Sequence, residues 1–327
     1  YMTCAENDVP VKFLLTGGSG FVGASVIECC FVKNCLFRLA IRDRKRFDET
    51  VFDLFHIPNE INGSTNWLNA FSEVSCVIHL AALAHNKVGE SNAYKDVNVN
   101  GTLHLAREAA RHGVKRFVFV SSIGVNGTAT DAHPFFINSV INPHNAYTRS
   151  KYEAELGLKR ISEETGLEVV IVRPTLVYGF NAPGNFYLLT KLVNKMPVLP
   201  FGLANNKRDF IAVQNLADLL ITCATHPKAA GHTFLASDME TVSIKQFTNA
   251  IADGLGKKLF QLPIPVSLIR LAGKLMGKTA MVEQLVGNLQ VDSSNIIEVL
   301  DWTPPLTMKQ AMATLRNSGR RNYDSFN

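Results

Sequence analysis

Tyr147 and Lys151 are the residues whose types and spacing could most directly do chemistry. They stand four positions apart in a stretch that predicts a helix from Ala146 to about Glu164, so their side chains share one helix face. An unperturbed tyrosine titrates near pH ~10, and a lysine cation one turn away favours its phenolate and lowers its pKa. Such a tyrosine could exchange a proton with a substrate oxygen at neutral pH. Because this spacing is common by chance, the interpretation depends on the elements around it.

A glycine-rich turn near the start of the chain supplies the first of those elements. The strand Val11–Leu15 leads into Thr16-Gly-Gly-Ser-Gly-Phe-Val-Gly23, which opens a helix to about Val32. Glycine lets the chain turn tightly and lets the backbone approach a pyrophosphate, and the helix N-terminus offers free N–H groups to the phosphates. Strand, turn and helix together predict a dinucleotide phosphate site.

The next strand, Phe37–Ile41, completes a β-α-β unit and predicts a parallel sheet. Its end is where dinucleotide folds select their cofactor, because an acidic residue binds ribose hydroxyls whereas arginine accepts a 2′-phosphate. Arg42 stands there and Asp43 follows. Arg42 favours NADP, and NAD stays open because Asp43 could reach the ribose.

Two further strands end in small or hydroxyl side chains, which suits the wall of a cofactor crevice. Cys76–Ala82 ends in paired alanines that packing alone does not explain, and Arg116–Ser122 ends in two serines. Between these strands, Asn98 begins a predicted helix to about His112. Its side chain could either cap that helix or bind a ligand.

At 327 residues and 46% hydrophobic composition, the chain can bury a large core. The regular alternation of strands and helices ends near Tyr178, which predicts a dinucleotide-binding domain over 1–178 and a substrate lobe over 179–327. Strands near 210–213 and 233–235 are expected to return to the main sheet. The expected fold class is therefore α/β, a Rossmann-type doubly wound parallel sheet with a smaller, interleaved C-terminal lobe.

Composition excludes several classes of function. The net charge of +5 is not gathered into a long basic tract, so nucleic-acid binding has no support. Six cysteines form no CxxC pair and no metal-ligand spacing with histidine, which predicts no metal site and reduced thiols in a cytoplasmic protein. No apolar run reaches the ~18 residues that span a bilayer, and no signal peptide is expected. Leu259–Lys278 is expected to be a helix packed in the lobe, with a membrane-surface helix as the alternative.

Short motifs follow one another in a fixed order along the chain. They are Thr16-Gly-Gly-Ser-Gly-Phe-Val-Gly23, His79-Leu-Ala-Ala82, Asn98-Val-Asn-Gly-Thr102, Ser121-Ser122, Tyr147-x-x-x-Lys151, Arg173-Pro174, Val177-Tyr178-Gly179 and Arg208-Asp209-Phe210. In this order they resemble the extended short-chain dehydrogenase/reductase family of nucleotide-sugar epimerases, dehydratases and reductases. The likeness covers about Val11 to Leu315.

Within that family the chain looks closest to the UDP-glucose 4-epimerase-like branch. Ser121–Gly127 and Val291–Pro305 are similar to bacterial UDP-N-acetylquinovosamine dehydrogenases, which reduce a 4-keto UDP-N-acetyl sugar in surface-polysaccharide synthesis. The resemblance implies a UDP-sugar substrate and a nicotinamide cofactor. It also implies a homodimer that pairs the helices 102–112 and 147–164 of two copies.

The resemblance assigns roles to matching residues. Tyr147 is the expected acid/base, with Ser122 orienting the substrate oxygen and Lys151 binding the nicotinamide ribose. Asn185 is expected near the substrate diphosphate and Arg208 on a phosphate, although Arg208 could instead pair with Asp209 or Asp218. The expected cofactor-binding residues are Gly17, Gly20, Phe21, Val22, Arg42, Ala81, Ala82, Asn98, Tyr147, Lys151, Arg173 and Pro174.

The chain departs from the family pattern at several positions. Asn126 replaces a frequent tyrosine, Glu60 replaces an adenine-contacting aspartate, and Gly287–Gln290 lacks a second phosphate-binding arginine. Ile123 and Gly124 follow Ser122 where 4,6-dehydratases carry an Asp-Glu pair. Neither can carry a proton, so dehydration is not expected.

Three functions follow from these observations. A 4-ketoreductase with exchangeable NAD(P)H is favoured by Arg42. A UDP-glucose or UDP-N-acetylglucosamine 4-epimerase with retained NAD is the first alternative. A non-catalytic, dinucleotide-sensing member of the fold is the second, and the intact Ser122, Tyr147 and Lys151 argue against it.

Overall fold

The computed structural model describes residues 11–84 and 91–316. The strands are β1 Lys12–Thr16, β2 Leu36–Ile41, β3 Asp53–His56, β4 Val74–His79, β5 Arg116–Val120, β6 Glu168–Pro174, β7 Leu176–Tyr178, β8 Val198–Leu199, β9 Phe210–Ala212, β10 Thr233–Ala236 and β11 Phe260–Gln261. The helices are α1 Phe21–Val32, α2 Ser91–Tyr94, α3 Thr102–Arg111, α4 Ala146–Thr165, α5 Asn185–Lys195, α6 Val213–Thr225, α7 Ile244–Leu255, α8 Val266–Leu275, α9 Thr279–Val286, α10 Ser294–Leu300 and α11 Met308–Ala313. A π-helical segment, Lys95–Gly101, precedes α3.

One seven-stranded parallel sheet forms the centre of the molecule, in the order β10-β6-β5-β4-β1-β2-β3. Parallel neighbours need crossover connections, which place helices on both faces. On one face Val26 of α1 and Leu220 of α6 are fully buried, and on the other Leu105 of α3 and Leu158 of α4 are. Burying each such side chain contributes about 1.5–3 kcal/mol. The predicted α/β, doubly wound fold class is confirmed.

The sheet has its crevice where β1 lies between β2 and β4. From β1 the chain builds β2 and β3 on one side, then crosses over and builds β4, β5 and β6 on the other. Such a switch point opens a ligand crevice at the carboxyl ends of the strands. Thr16 at the end of β1 lies opposite His79 at the end of β4, so both side chains stand at this crevice.

The smaller lobe has its own apolar core, in which the rings of Phe210 and Phe247 stack with centroids 3.8 Å apart. The prediction that the strand near 210–213 returns to the main sheet is wrong. Phe210–Ala212 pairs with Leu176–Tyr178 in a separate two-stranded sheet, and Val213 already begins α6. Thr233–Ala236 does join the main sheet, beside β6. The domain boundary near Gly179 stays a prediction.

The segment Leu259–Lys278, which the sequence predicts as one packed helix, contains β11 and the shorter α8, and α8 packs against the lobe by one side only. Gly273 is its buried residue, and Val266 and Ile269 pack partly against the lobe core. Leu271 and Leu275 are 51% and 80% exposed. The alternation of cations and apolar residues carries no information about which face is covered, so only the structure reveals this exposure.

In the portions that the structure describes, no helix has both the length and the hydrophobicity to cross a membrane.

Candidate active site

The glycine turn closes against the end of β4. Gly17 has φ +75°, and a Cβ added there would lie 2.7 Å from the Ala81 backbone nitrogen. A Cβ on Gly23 would collide with the Gly17 carbonyl oxygen. Gly20 precedes α1 and no side chain caps the helix, so the first-turn N–H groups, which include those of Phe21 and Val22, have no helical partner and can serve as anion donors. These features fit a dinucleotide phosphate.

We expect Gly17→Ala to weaken dinucleotide binding at least about tenfold. The added methyl meets the Ala81 backbone and forces a left-handed residue, which costs about 1–2 kcal/mol in itself. NADH fluorescence titration measures the loss of binding, and urea unfolding measures the loss of stability. Gly113→Ala is the matched control, because Gly113 has φ +78° and nothing lies within 4 Å of the added Cβ. Equal loss of binding in both variants would contradict a specific role for Gly17.

A cavity of about 520 Å³ lies at the carboxyl ends of β1, β2 and β4. This volume is within the range of cofactor and small-molecule sites, ~300–1,000 Å³. The cavity brings together the predicted cofactor-binding residues of three segments. These predicted residues are Gly17, Gly20, Arg42, Ala81 and Ala82. The other lining residues include Ser19, Ala40, Ile41, Asp43, Arg46, Glu60, Leu83 and Val97.

Arg42 does not stand as an isolated cation in this cavity. One of its guanidinium nitrogens donates to Glu60 Oε1 at 3.1 Å, and both side chains are exposed. Asp43 accepts the Lys45 backbone N–H at 3.0 Å and so caps a short 3₁₀ turn. A 2′-phosphate near Arg42 would meet these two carboxylates as well as the cation. The structure therefore weakens the argument from Arg42 to NADP.

A buried hydrogen-bond chain positions the wall of the cavity, and the sequence interpretation missed it. Thr16 Oγ1 lies 2.7 Å from His79 Nδ1, and His79 Nε2 lies 2.9 Å from Thr102 Oγ1. Thr16 Oγ1 also accepts the backbone N–H groups of Leu80 and Ala81, each at 3.2 Å. Burial, with a smaller effect of Lys151, lowers the pKa of His79 to about 3. His79 is therefore a neutral positioning group. The sequence signal that could have revealed this role is its position at the strand end, in His79-Leu-Ala-Ala82.

Asn98 neither caps a helix nor points its polar atoms at open space. It lies inside the π-helical segment, where Oδ1 accepts the Leu83 N–H at 2.8 Å. Its Nδ2 donates to the Leu83 carbonyl at 3.0 Å and to Ser150 Oγ at 3.0 Å. The cap alternative is wrong, because helical residues precede Asn98. Its side chain joins Leu83 in the cavity wall to Ser150 of α4.

Lys151 and Tyr147 lie on the first turns of α4, beside the end of β5. The buried Lys151 Nζ donates to the Val120 carbonyl at 2.9 Å, and it lies 5.9 Å from the Tyr147 ring centroid. Burial lowers the pKa of Lys151 to about 8, and Glu155 partly opposes this shift. The hydrogen bond to Val120 thus holds the Lys151 amino group at the end of β5, within 5.9 Å of the Tyr147 ring centroid.

The expected direction of the Tyr147 pKa is wrong for this structure. Burial, with a smaller contribution from Tyr94, raises the pKa of Tyr147 to about 12. The two rings meet edge to face with centroids 6.4 Å apart. Low-dielectric surroundings penalise a phenolate, and Lys151 is held by the Val120 carbonyl rather than by the tyrosine. Tyr147 therefore stands in its protonated, proton-donating form.

Ser122 stands two residues after Val120, the last residue of β5. The hydrogen bond from Lys151 to Val120 therefore joins the segment that carries Ser122 to the helix that carries Tyr147. Ser122 Oγ accepts the Gly124 N–H at 3.1 Å, which leaves the hydroxyl proton available to a substrate oxygen. A Cβ on Gly124 would lie 2.6 Å from Thr148 Cγ2, so this turn packs closely on α4. The structure brings Ser122, Tyr147 and Lys151 together at the carboxyl edge of the sheet, one strand from the cavity.

Arg173 is held by protein groups on two other segments. Its Nε and Nη2 donate to the Glu155 carboxylate at 2.9 and 2.5 Å, and Nη1 donates to Asn126 Oδ1 at 3.0 Å. Both members of the ion pair are buried, at 3% and 0% exposure. Three of the five guanidinium N–H donors thus serve protein groups, because α4 supplies a carboxylate that the sequence did not pair with Arg173. A contact of Arg173 with the cofactor stays a prediction. Pro174 ends β6, opposite Ala236 of β10.

The predicted substrate residues lie around the C-terminal end of α9. Asn185 Nδ2 donates to Gln284 Oε1 at 3.0 Å, and Arg208 Nη1 donates to the Gly287 carbonyl at 3.1 Å. Burial lowers the pKa of Arg208 to about 10. Asp209 instead accepts the Thr241 hydroxyl and the Val291 backbone N–H, so the alternative of an Arg208–Asp209 pair is not what forms.

Within the described ranges, no group of three or more histidine, cysteine or acidic side chains could hold a metal ion. The five cysteines there, Cys29, Cys30, Cys35, Cys76 and Cys223, are free thiols.

Comparison with known proteins adds to this geometry. Residues 13–236 match the NAD dependent epimerase/dehydratase family. The chain is 40% identical to a Vibrio cholerae UDP-glucose 4-epimerase over 316 residues, which cover 94% of this chain and 95% of that protein.

Solved structures share the fold at lower identity. The UDP-glucose 4-epimerase of Thermotoga maritima with UDP-glucose superposes with a TM-score of 0.73 at 19% identity, covering 94% of this chain and 98% of that one. The Thermus thermophilus UDP-glucose 4-epimerase with NAD gives a TM-score of 0.72 at 19% identity and the same coverage.

Proposed function

Because the chain belongs to the NAD dependent epimerase/dehydratase family, we propose that it oxidises and reduces a UDP-sugar at C4 with NAD. The observation that carries the proposal is the bond from Lys151 Nζ to the Val120 carbonyl. It joins the helix that bears Tyr147 to the strand that leads to Ser122, beside a cavity that fits a dinucleotide. A proton-transferring group, an orienting hydroxyl and a cofactor site then stand at one edge of the sheet.

The residues that would hold NAD are those of the glycine turn and the cavity wall. The turn from Gly17 to Gly20 and the free N–H groups of α1 suit its phosphates, and Ala81 and Ala82 leave room beside β4. When bound, NAD supplies the hydride acceptor and NADH the hydride donor.

The protein's own residues handle the proton and the orientation. Tyr147 donates a proton to the sugar oxygen on reduction and accepts it on oxidation, and Ser122 hydrogen-bonds the same oxygen. Lys151 lies 5.9 Å from the Tyr147 ring centroid and is proposed to bind the nicotinamide ribose. Asn185 and Arg208 are proposed to hold the diphosphate, a role that suits the donor fork of arginine.

A 4-epimerase is the first candidate, since the Vibrio cholerae relative carries that name at 40% identity over nearly the whole chain. A 4-ketoreductase is the second. Arg42 and Arg46 line the cavity and would attract an exchangeable NADPH, but the Glu60 and Asp43 carboxylates beside them offset part of that attraction. The homodimer, the cytoplasmic location and a role in surface-polysaccharide synthesis stay predictions.

Purification of the full chain separates the two candidates. An epimerase is expected to retain NAD through purification, and denaturation should release it. It should also convert UDP-glucose or UDP-N-acetylglucosamine to the C4 epimer, which chromatography of the reaction mixture detects. A ketoreductase is expected to lose cofactor and to consume added NADPH or NADH with a 4-keto UDP-sugar. Failure of both assays would contradict catalysis at C4 and leave the non-catalytic dinucleotide sensor.

We expect Glu60→Gln to raise the affinity for NADP relative to NAD by about tenfold. The substitution removes the carboxylate that Arg42 contacts at 3.1 Å and frees the cation for a 2′-phosphate, an exchange worth about 1.4 kcal/mol. Competitive titration with the two cofactors measures it. Glu49→Gln, at an exposed carboxylate 4.0 Å from Arg44, is the control and should leave the ratio unchanged. An unchanged ratio in the Glu60 variant would show that Arg42 does not select the cofactor.

A further inference from the structure

Helix α8 presents an apolar face to solvent. Leu268, Leu271 and Leu275 recur at positions i, i+3 and i+7, so they share one face of the helix, and we call them the leucine face. They are 53%, 51% and 80% exposed. The opposite face carries Gly273, where an added Cβ would lie 2.5 Å from Val282 of α9. The helix is therefore held tightly by its other side, and the leucines point outward.

The leucine face lies in a stretch without acidic residues. Between Val266 and Val282 the chain carries Arg270, Lys274 and Lys278 and no aspartate or glutamate. Arg270 is neutralised by Glu283, whose carboxylate it contacts at 2.7 and 3.2 Å. Lys274 and Lys278 are exposed and form no ion pair with any described residue. Two unpaired cations thus lie close in the chain to an exposed apolar face, Lys274 on α8 itself and Lys278 in the turn that follows it.

We propose that the leucine face docks on the surface of an anionic lipid bilayer. A short helix with apolar side chains on its outer face and lysines beside them can lie in the plane of the interface, with the leucines at the acyl boundary and the ammonium groups at the headgroups. Both parts of the surface match that environment. The helix remains attached to the lobe through Gly273 and Val282 and needs no refolding to dock.

A second copy of the chain fits this surface less well. A two-fold contact brings the same patch of both copies together, so a dimer would gather Lys274 and Lys278 of both copies into one interface. The leucine face and the neighbouring exposed Met276 and Met281 amount to five side chains, whereas a standard interface uses about 20–30 residues a side. An anionic lipid surface would attract the ammonium groups of Lys274 and Lys278, whereas a second copy would add further positive charge beside them.

Docking would orient the substrate lobe toward the membrane. Helix α9 follows α8 directly, and its Gln284 contacts Asn185 at 3.0 Å. The leucine face is therefore connected through one helix to the region around Asn185. The docking surface itself does not depend on the catalytic proposal.

Vesicle sedimentation of the full chain tests the proposal. We expect binding to phosphatidylcholine vesicles that contain about 30 mol% phosphatidylglycerol, and weaker binding to pure phosphatidylcholine, at about 0.1 M salt. Leu268→Ser, Leu271→Ser and Leu275→Ser together should lower the partition coefficient at least about tenfold. Lys274→Gln and Lys278→Gln should each lower it about fivefold and reduce its salt dependence.

A matched control comes from exposed apolar residues of the other lobe. Leu68→Ser and Val140→Ser, at side chains 65% and 82% exposed, should leave binding unchanged. Circular dichroism and turnover on a UDP-sugar establish that each variant is folded. The proposal is overturned if the anionic vesicles do not bind the chain, or if the leucine variants bind as well as the parent. It is also overturned if these variants instead convert a dimer to a monomer in light scattering.

Discussion

Replacing Glu155 by glutamine is expected to lower the free energy of unfolding by about 3–5 kcal/mol. The substitution keeps the shape of the side chain but leaves the Arg173 guanidinium buried at 3% exposure without its counter-charge. Charge removal from a buried pair costs far more than the loss of a surface pair, which is worth about 0–1 kcal/mol. Urea unfolding followed by circular dichroism measures the change.

Two further variants separate charge from packing. Glu155→Leu combined with Arg173→Met removes both charges and should recover much of the lost stability, because apolar replacement of a whole buried pair is often neutral. Glu164→Gln removes the exposed partner of Arg107 and should cost less than about 1 kcal/mol. A Glu155→Gln protein as stable as the parent would mean that the Arg173 charge is satisfied without Glu155.

Replacing Tyr147 by phenylalanine is expected to lower turnover of a UDP-sugar by about 10²–10⁴-fold, the range that a positioned acid/base contributes. The variant loses one hydroxyl and keeps the ring that meets Tyr94 edge to face. Substrate and dinucleotide affinities should change little, because the loss falls on proton transfer. Initial rates at saturating substrate, with binding measured separately, test the expectation.

Tyr152→Phe is the matched control for this variant. Tyr152 lies on the same helix and is also half-buried, but it stands one residue beyond Lys151, on another face. Its activity should stay within about twofold of the parent. If the two variants lost activity equally, the effect would be a disturbance of α4 and Tyr147 would not be the acid/base.

The sequence contained enough to predict the sheet, the glycine turn and the place of Ser122, Tyr147 and Lys151. These features depend on local signals, because glycine geometry, strand ends and helix spacing are set by neighbours in the chain. The chemistry of each group was harder to predict. The pKa of Tyr147 depends on burial and on Tyr94, which lies more than 50 residues away along the chain.

Long-range partners account for the remaining differences. Arg173 matches a cofactor-binding position, yet two of its five N–H donors bond Glu155 of α4 and a third bonds Asn126. Asn98 was expected at a helix start, yet it bonds the Leu83 backbone and Ser150. Phe210 pairs with Leu176 because the apolar core of the smaller lobe holds it there. No local pattern encodes which distant group a side chain meets.

The order of strands in the sheet has a consequence for how the chain folds during synthesis. Strand β10 covers the edge of β6, but about 60 residues separate the end of one from the start of the other. At ~5–20 residues per second, β6 leaves the ribosome roughly 3–12 s before its partner exists. For that interval a Val- and Ile-rich strand offers an unpaired edge, a known route to aggregation. Rapid packing of α6, which is made before β10, would shorten this exposure until β10 closes the sheet.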